Sequence, residues 1–178
     1  MFSLELIDEI EALVGMHQEG SYWDFKREWY GHNKDGDMLI DIICMANNLV
    51  NRDAYIIIGV DEESNYAIRD VSQDTNRRNT QMLTDFIRGK KFAGDFRPVV
   101  TVEPVYLDGG LVDVIVIHNS TNTPYYLKEK GIRGCRCAKG FYPGRSEGAS
   151  EGSGRSAVTA CLYAHGCADI SEICAEKT

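Results

Sequence analysis

The chain has 178 residues, of which 43% are apolar, 26% charged and 10% aromatic, enough for one core of ordinary size. No stretch approaches the roughly 18 apolar residues of a membrane span. The acidic start MFSLELIDEIEALVGM has the character of neither a signal nor a transit peptide, so a cytoplasmic protein without a membrane partner is expected. A net charge of −8 excludes a protein that coats nucleic acid by bulk electrostatics, because neutralising phosphates takes Lys and Arg; an anionic partner must meet a local patch.

Charge and cysteine are unevenly spread. Up to Lys130 the chain carries 13 basic and 22 acidic residues, a net of −9, and beyond it 6 basic and 5 acidic, a net of +1. Cys44 alone of the six cysteines falls in the first part; Cys135, Cys137, Cys161, Cys167 and Cys174 crowd the second. The second part also holds eight of the 17 glycines and the run SEGASEGSGRSA, too poor in large apolar groups to offset its ordering entropy. Residues 1–130 are therefore read as the folded domain and 131–178 as a poorly structured Gly/Ser/Cys-rich tail. The spacing of Cys135 and Cys137 is wrong for a zinc knuckle, and His17, His32 and His118 share no metal-site spacing.

Taken in chain order, Leu4, Ile7, Ile10 and Leu13 or Val14 recur at helical spacing opposite Glu5, Asp8, Glu9 and Glu11, which predicts an amphipathic helix ending near Gly15. Tyr22 to Trp29 alternates aromatic and charged groups, as a half-buried strand does. Asp35-Gly36-Asp37 is turn and N-cap material before a second helix with the stripe Met38, Leu39, Ile42, Ile43, Ala46, Leu49 and Val50. Ala54 to Val60 is apolar on both faces and belongs in the middle of a sheet, closed by the polar turn Asp61 to Asn65. Thr80 to Arg88 predicts a third helix with Met82, Leu83, Phe86 and Ile87 on one face. Val99 to Tyr106 and Leu111 to Ile117 flank an Asp-Gly turn and predict a hairpin. The order implies an α+β fold, a mixed β-sheet packed against helices.

Glu19, Asp24 and the Asp61-Glu62 pair fall where the chain changes direction. If the first and central strands are neighbours, these carboxylates converge, and converging carboxylates call for a cation between them. Oxygen ligands suit magnesium or manganese, with Glu19, Asp24 and Asp61 as the ligands of a phosphodiester-cleaving centre. The competing reading is a solvated turn at Asp61 to Glu63 and a helix-exit residue at Glu19. Asn47 and Asn48 near the end of the second helix are read as structural. Six cations, Arg77, Arg78, Arg88, Lys90, Lys91 and Arg97, face only Asp85 and Asp95 between positions 77 and 97, net +4 inside a unit of net −9. This fits either a phosphate-tracking surface or a solubilising helix face. Lys26 is a further candidate for phosphate contact.

Glu19-x4-Asp24-Phe25-Lys26, Ala46-Asn47, Ile56-Ile57-Ile58-Gly59-Val60-Asp61-Glu62 and DVIVIHNSTNTPYYL, in that order and spacing, resemble the Schlafen AlbA-like domain over roughly Glu19 to Leu127. That domain is described in bacteria as a DNA-binding module of regulators and ATP-binding proteins. The resemblance implies an α+β fold and a nucleic-acid role. In eukaryotic Schlafen relatives a three-carboxylate site cleaves structured RNA, and Glu19, Asp24 and Asp61/Glu62 occupy the matching positions. Three departures stand out. Asp24 replaces the usual Glu, Leu49-Val50-Asn51-Arg52-Asp53 replaces a usual Gly-Gly pair, and no Arg-x-Gly strand follows Tyr125-Tyr126. Reading the codons behind Lys139 to Ser146 one nucleotide later permits Phe-Thr-Arg-Val-Gly, so residues from about Gly131 onward are expected to be a frameshifted or non-native end.

The leading expectation is a domain of a bacterial transcriptional regulator or defence protein that binds DNA or RNA through the Arg77 to Arg97 surface. The alternatives are a magnesium- or manganese-dependent endoribonuclease acting through Glu19, Asp24, Asp61 and Glu62, and a non-catalytic interaction or sensor domain of a larger ATP-binding protein. Association with a second copy is left open.

Overall fold

The computed structural model describes residues 4–128. The tail and its reading as a frameshifted end lie outside the described residues. The elements are α1 (Leu4–Gly15), β1 (Trp23–Lys26), α2 (Asp35–Ala46), β2 (Ala54–Ile58), β3 (Val60–Asp61), β4 (Ala67–Ile68), α3 (Thr80–Arg88), β5 (Val100–Leu107) and β6 (Gly110–Ile117). β1, β2, β6 and β5 form one sheet in that order, with β1 parallel to β2 and the other pairs antiparallel. The fold is α+β with a mixed sheet, as its pattern of periodicities implies.

Alternation along the strands divides the apolar side chains between two faces. Ile56, Ile58, Ile115 and Ile117 pack with Met38, Leu39 and Ile42 of α2 and Leu83 and Ile87 of α3. Tyr55, Ile57, Val112, Val114 and Val116 pack with Ile10 and Leu13 of α1 on the other side. Both faces of β2 are thereby dry, which is why its sequence reads as an unbroken β-branched run. The β5–β6 hairpin closes through the two-residue loop Asp108-Gly109, as the Asp-Gly signal predicts.

Four local details depart from the sequence expectations, each for a physical reason. The run Ala54 to Val60 is not one strand: Gly59 takes φ +109°, and a Cβ there would come within 2.7 Å of the Arg69 carbonyl oxygen. The chain kinks at Gly59 and Val60–Asp61 pairs instead with Ala67–Ile68. The first strand is shorter than its alternating pattern, because beyond Lys26 the chain turns and sends Trp29 into the core on the α2 side. Asp35 and Asp37 lie inside the first turn of α2, where their charge suits the helix dipole, and no side chain caps that end. Finally α2 stops at Ala46, leaving Leu49 and Val50 66% and 44% exposed, and Met82 of α3 also faces solvent.

Asn47 and Asn48 explain where α2 ends. Asn47 is buried and clamps a distant backbone segment, its Nδ2 donating to the Tyr125 carbonyl at 2.9 Å and its Oδ1 accepting from the Tyr125 N–H at 2.7 Å. Asn48 Nδ2 donates to the Met45 and Arg52 carbonyls, and its Oδ1 accepts from the Val50 N–H, which shapes the turn into β2. Both are structural. Replacing Asn47 with Ala strands two buried backbone groups of Tyr125. The expected cost is about 3 kcal/mol at about 1–3 kcal/mol per unsatisfied group, read as a lower denaturation midpoint with an unchanged denaturant slope.

Candidate functional site

β1 is an edge strand of alternating character. Trp23 and Phe25 join the α1-side cluster, so Asp24 and Lys26 project to the α2 side, opposite Ile56 and Ile58 in the register. Asp24 is only 1% exposed. An isolated carboxylate there would be costly, and the Lys26 ammonium pairs with its Oδ2. Lys26 Nζ also lies 3.5 Å from Asp41 Oδ2 on α2, and the Tyr30 hydroxyl donates to that same oxygen at 2.6 Å. Asp24 Oδ1 has no hydrogen-bond donor. The Glu19 carboxyl lies within reach of the Asp24 side chain, and its Oε1 accepts from the Phe25 N–H at 3.4 Å.

The electrostatics follow from this packing. Burial, reinforced by Glu19, raises Asp24 from its ordinary value to about 7, against the opposing pull of Lys26. Burial alone would lower Lys26, but the charges of Asp24 and Asp41 outweigh it and hold the ammonium above its ordinary range. Asp41 is raised by burial although Lys26 and Tyr30 oppose the shift, and Tyr30 is pushed well above its usual value by burial and the Asp41 charge. Glu62 is raised by partial desolvation and by the charge of Asp24, which places it in the same electrostatic neighbourhood.

Asp61 is engaged elsewhere. Its Oδ2 accepts from Arg69 Nε at 2.6 Å and Ser64 Oγ at 2.9 Å, with Arg27 Nε 3.7 Å away. Burial would raise its pKa, but these partners overcome it and hold the carboxyl below the usual range. Phe25, Arg27, Val60, Asp61, Glu62 and Glu63 line a shallow concavity beside it. The structure thus brings Glu19, Asp24 and Glu62 into one neighbourhood around Lys26, while Asp61 is neutralised by two guanidinium groups. The ligand set Glu19, Asp24 and Asp61 is not assembled. Among the described residues no group of three His, Cys, Asp or Glu side chains is spaced to hold a metal ion. Asp24 Oδ1 stands without a donor in that neighbourhood, whereas Asp61 is held by Arg69 and Arg27.

The cations between 77 and 97 separate into two kinds. Arg77 donates through Nε and Nη2 to the two oxygens of Asp113 at 2.7 and 2.8 Å, and Trp29 Nε1 donates to the same carboxylate at 2.7 Å. Asp113 is 1% exposed, so Arg77 is its counter-ion and part of the fold. Arg78 is largely covered, paired with Asp35 at 2.5 Å and lying over the Phe86 ring. Arg77 and Arg78 are thereby engaged by carboxylates of the domain, as is Lys26. Arg88, Lys91 and Arg97 are exposed, and Lys90 is half-buried with its ammonium 4.3 Å from the Phe86 ring centroid.

Two members of the group around Lys26 lay outside the sequence expectations as site residues, Asp41 and Tyr30. Asp41 had a visible signal. It sits three residues after Met38 and four before Met45, an acidic residue on a helix stripe that is otherwise buried. His17 stacks on Tyr66, and His118 Nδ1 is 3.2 Å from Asp53 Oδ2. Tyr66 in turn packs edge-on against Phe25 of β1.

An α+β domain with a buried carboxylate and lysine beside its edge strand is the class that fold and site define. The sequence model of the Schlafen, AlbA_2 family matches residues 19–143, most of the chain, and the chain belongs to that family. The match begins after α1 and runs beyond Lys130. Among solved structures, the NMR structure of the N-terminal domain of an ATP-dependent DNA helicase RecG-related protein from Nitrosomonas europaea is 21% identical. It covers 85% of this chain and 93% of its own, with a TM-score of 0.44. No curated protein matches the chain. Among the described residues no helix is long and apolar enough to cross a membrane.

The raised Asp24 has a consequence for stability. Its folded value of about 7 lies above the ordinary carboxyl value of 3.8, so the folded state holds a proton that the unfolded state releases. The contribution is fully present below about pH 4 and is lost as pH rises through about 7. Wild type is expected to lose up to about 4 kcal/mol from this group between pH 4 and 8, at 1.36 kcal/mol per unit. Asp24→Asn should flatten that part of the profile in denaturant melts; parallel profiles for the two proteins would contradict the assignment.

Proposed function

We propose that this Schlafen AlbA_2 domain binds nucleic acid, with DNA as the expected partner, and that Arg88, Lys90, Lys91 and Arg97 contact its phosphates. One observation carries the reading: Arg88, Lys91 and Arg97 are exposed at and after the end of α3, with Lys90 half-buried among them, whereas Arg77 and Arg78 pair with Asp113 and Asp35. Local fields decide contact with a polyanion, so a basic segment on an acidic domain can serve where the total charge opposes binding. Three of the four cations lie in the C-terminal turn of α3 or the loop after it; the fourth, Arg97, precedes β5 by a few residues. Backbone contacts of this kind bind without reading bases, so the domain would supply affinity, and sequence choice would rest with other parts of a regulator or defence protein.

The test is fluorescence anisotropy with duplex DNA and with a structured RNA hairpin across a salt series. Binding should weaken as salt rises. Reversing Arg88, Lys90, Lys91 and Arg97 to Glu together should lower affinity at least about tenfold and reduce the salt slope by roughly 0.7–0.9 for each phosphate no longer neutralised. Affinity unchanged by the four reversals, or independent of salt, would rule the surface out. Arg77→Glu is the contrasting control. It should unfold the domain by placing two carboxylates together at Asp113, so its effect appears in circular dichroism before it appears in binding.

A further inference from the structure

We propose, resting on the phosphate-contact reading above, that the surface around Phe96 and Tyr126 takes an unpaired DNA strand: the two aromatic rings stack on its bases while the cations beside them meet its phosphates. Two short segments come together there. Phe92 and Leu127 form an antiparallel bridge, the Ala93 N–H donates to the Tyr126 carbonyl at 2.9 Å, and the Lys128 N–H donates to the Lys91 carbonyl at 2.8 Å. Alternation along extended chain then sorts the side chains. Phe92, Tyr125 and Leu127 turn to the core, where the Phe92 and Tyr125 rings meet edge-on with centroids 6.5 Å apart, and Lys91, Tyr126 and Lys128 are exposed. Phe96 reaches the same surface from the turn Ala93–Asp95. Gly94 and Asp95 both take positive φ, 71° and 62°, and the chain leaves the turn with Phe96 54% exposed. A Cβ on Gly94 would meet the Phe96 ring at 3.6 Å, so the ring lies back over the turn.

The setting of these rings is cationic. Arg97 Nη1 donates to the Asp95 carbonyl at 3.4 Å, and Lys128 Nζ pairs with the Asp95 carboxylate at 3.2 Å, which offsets the acidic group of the turn. A single exposed aromatic residue is ordinary. Here two of them, Tyr126 being 46% exposed, stand beside Lys91, Arg97 and Lys128 on backbone that is fixed from below. Asn47 clamps both backbone groups of Tyr125 and so positions the residue that follows it. A ring carried on fixed backbone loses little freedom when a base settles on it, and every base offers a π-face whatever its identity. In a duplex those faces are already stacked on one another, so rings at this surface gain a partner only from an unpaired strand. None of the contacts invoked requires a 2′-hydroxyl, so DNA suffices.

The experiment is fluorescence anisotropy of the full chain with labelled probes of equal length: oligothymidylate, a DNA duplex, and an abasic DNA strand that keeps the phosphates and lacks the bases. Oligothymidylate should bind at least about fivefold more tightly than the abasic strand, the low end of what stacking one base contributes. It should also outbind the duplex, although the duplex carries the denser charge. Phe96→Leu and Tyr126→Leu, which keep an apolar side chain and remove the ring, should each weaken oligothymidylate binding by a similar factor and leave the abasic strand unaffected. Phe96→Trp should keep the affinity, and its emission should be quenched by oligothymidylate and not by the abasic strand, a signature of ring–base contact that the buried Trp23 and Trp29 do not give. Equal affinity of wild type for oligothymidylate and the abasic strand overturns the proposal without any variant, as does a duplex that binds as tightly as oligothymidylate. A doubly substituted Phe96→Leu, Tyr126→Leu chain, folded by circular dichroism, that binds oligothymidylate like wild type overturns it too. Tighter binding of oligouridylate than of oligothymidylate overturns the choice of DNA. Salt-dependent binding that is equal for every probe removes the stacking and leaves the phosphate contact standing, whereas no binding of any probe removes both.

Discussion

Parallel pairing of four residues, Trp23–Lys26, against Tyr55–Ile58 is the contact from which the arrangement around Asp24 follows. β2 is held on its other side by β6 and buried on both faces, so its register cannot drift without exposing isoleucines. β1 inherits that register. A slip of one residue would turn Trp23 and Phe25 toward α2 and put Asp24 and Lys26 against the apolar α1 face, which offers them no partner. The free edge of β1 is closed by the preceding loop: the Gly20 N–H donates to the Trp23 carbonyl at 3.1 Å, and Glu19 accepts from Phe25. An exposed edge invites pairing with another chain, and this one is blunted by its own backbone and a carboxylate. Gly20 is required there, because a Cβ would fall about 2.1 Å from the Trp23 ring.

The same economy governs charge elsewhere. Asp113 lies on a central strand, where a carboxylate would be costly, and it is made tolerable by Arg77 and the Trp29 indole. Asp61 is likewise held by Arg69 and Arg27. Glu9 of α1 pairs with Arg52 and accepts from the Tyr55 hydroxyl at 2.7 Å, which ties that helix to the start of β2. Several cations of this acidic domain are therefore spent on single buried or half-buried carboxylates. Which cations are covered by this pairing could not be deduced from a count of charges.

Periodicity made the main elements legible, since each rests on local rules: helical stripes for α1, α2 and α3, a β-branched run for β2, and an Asp-Gly turn for the β5–β6 hairpin. The misplaced boundaries share a different cause. Leu49 and Val50 continue the apolar stripe of α2, but Asn47 is bound to the distant Tyr125 and Asn48 to the turn before β2, and the helix ends first. The short β3–β4 pair was hidden because Gly59 breaks a run whose composition is uniform. The site was legible only in part for the same reason. Glu19, Asp24 and Glu62 could be grouped once β1 and β2 were taken as neighbours, whereas the partners of Asp61 and Arg77 come from segments whose approach no local pattern encodes.

Lys26 shows why residue type alone misleads at such a site. In sequence it reads as one more cation beside an aspartate, equally able to meet a phosphate or a neighbour. Once β1 is an edge strand and α2 lies across its face, the side chain is caught between Asp24 and Asp41, with Tyr30 holding Asp41 from the other side. Its charge is then no longer a surface property. Removing the ammonium would leave the buried Asp24 and the half-buried Asp41 without that cation, and removing Asp24 would leave an ammonium with half its partners, so neither residue can change alone without cost. A pair bound in this way keeps that face of β1 polar, because the ammonium finds its partners inside the domain.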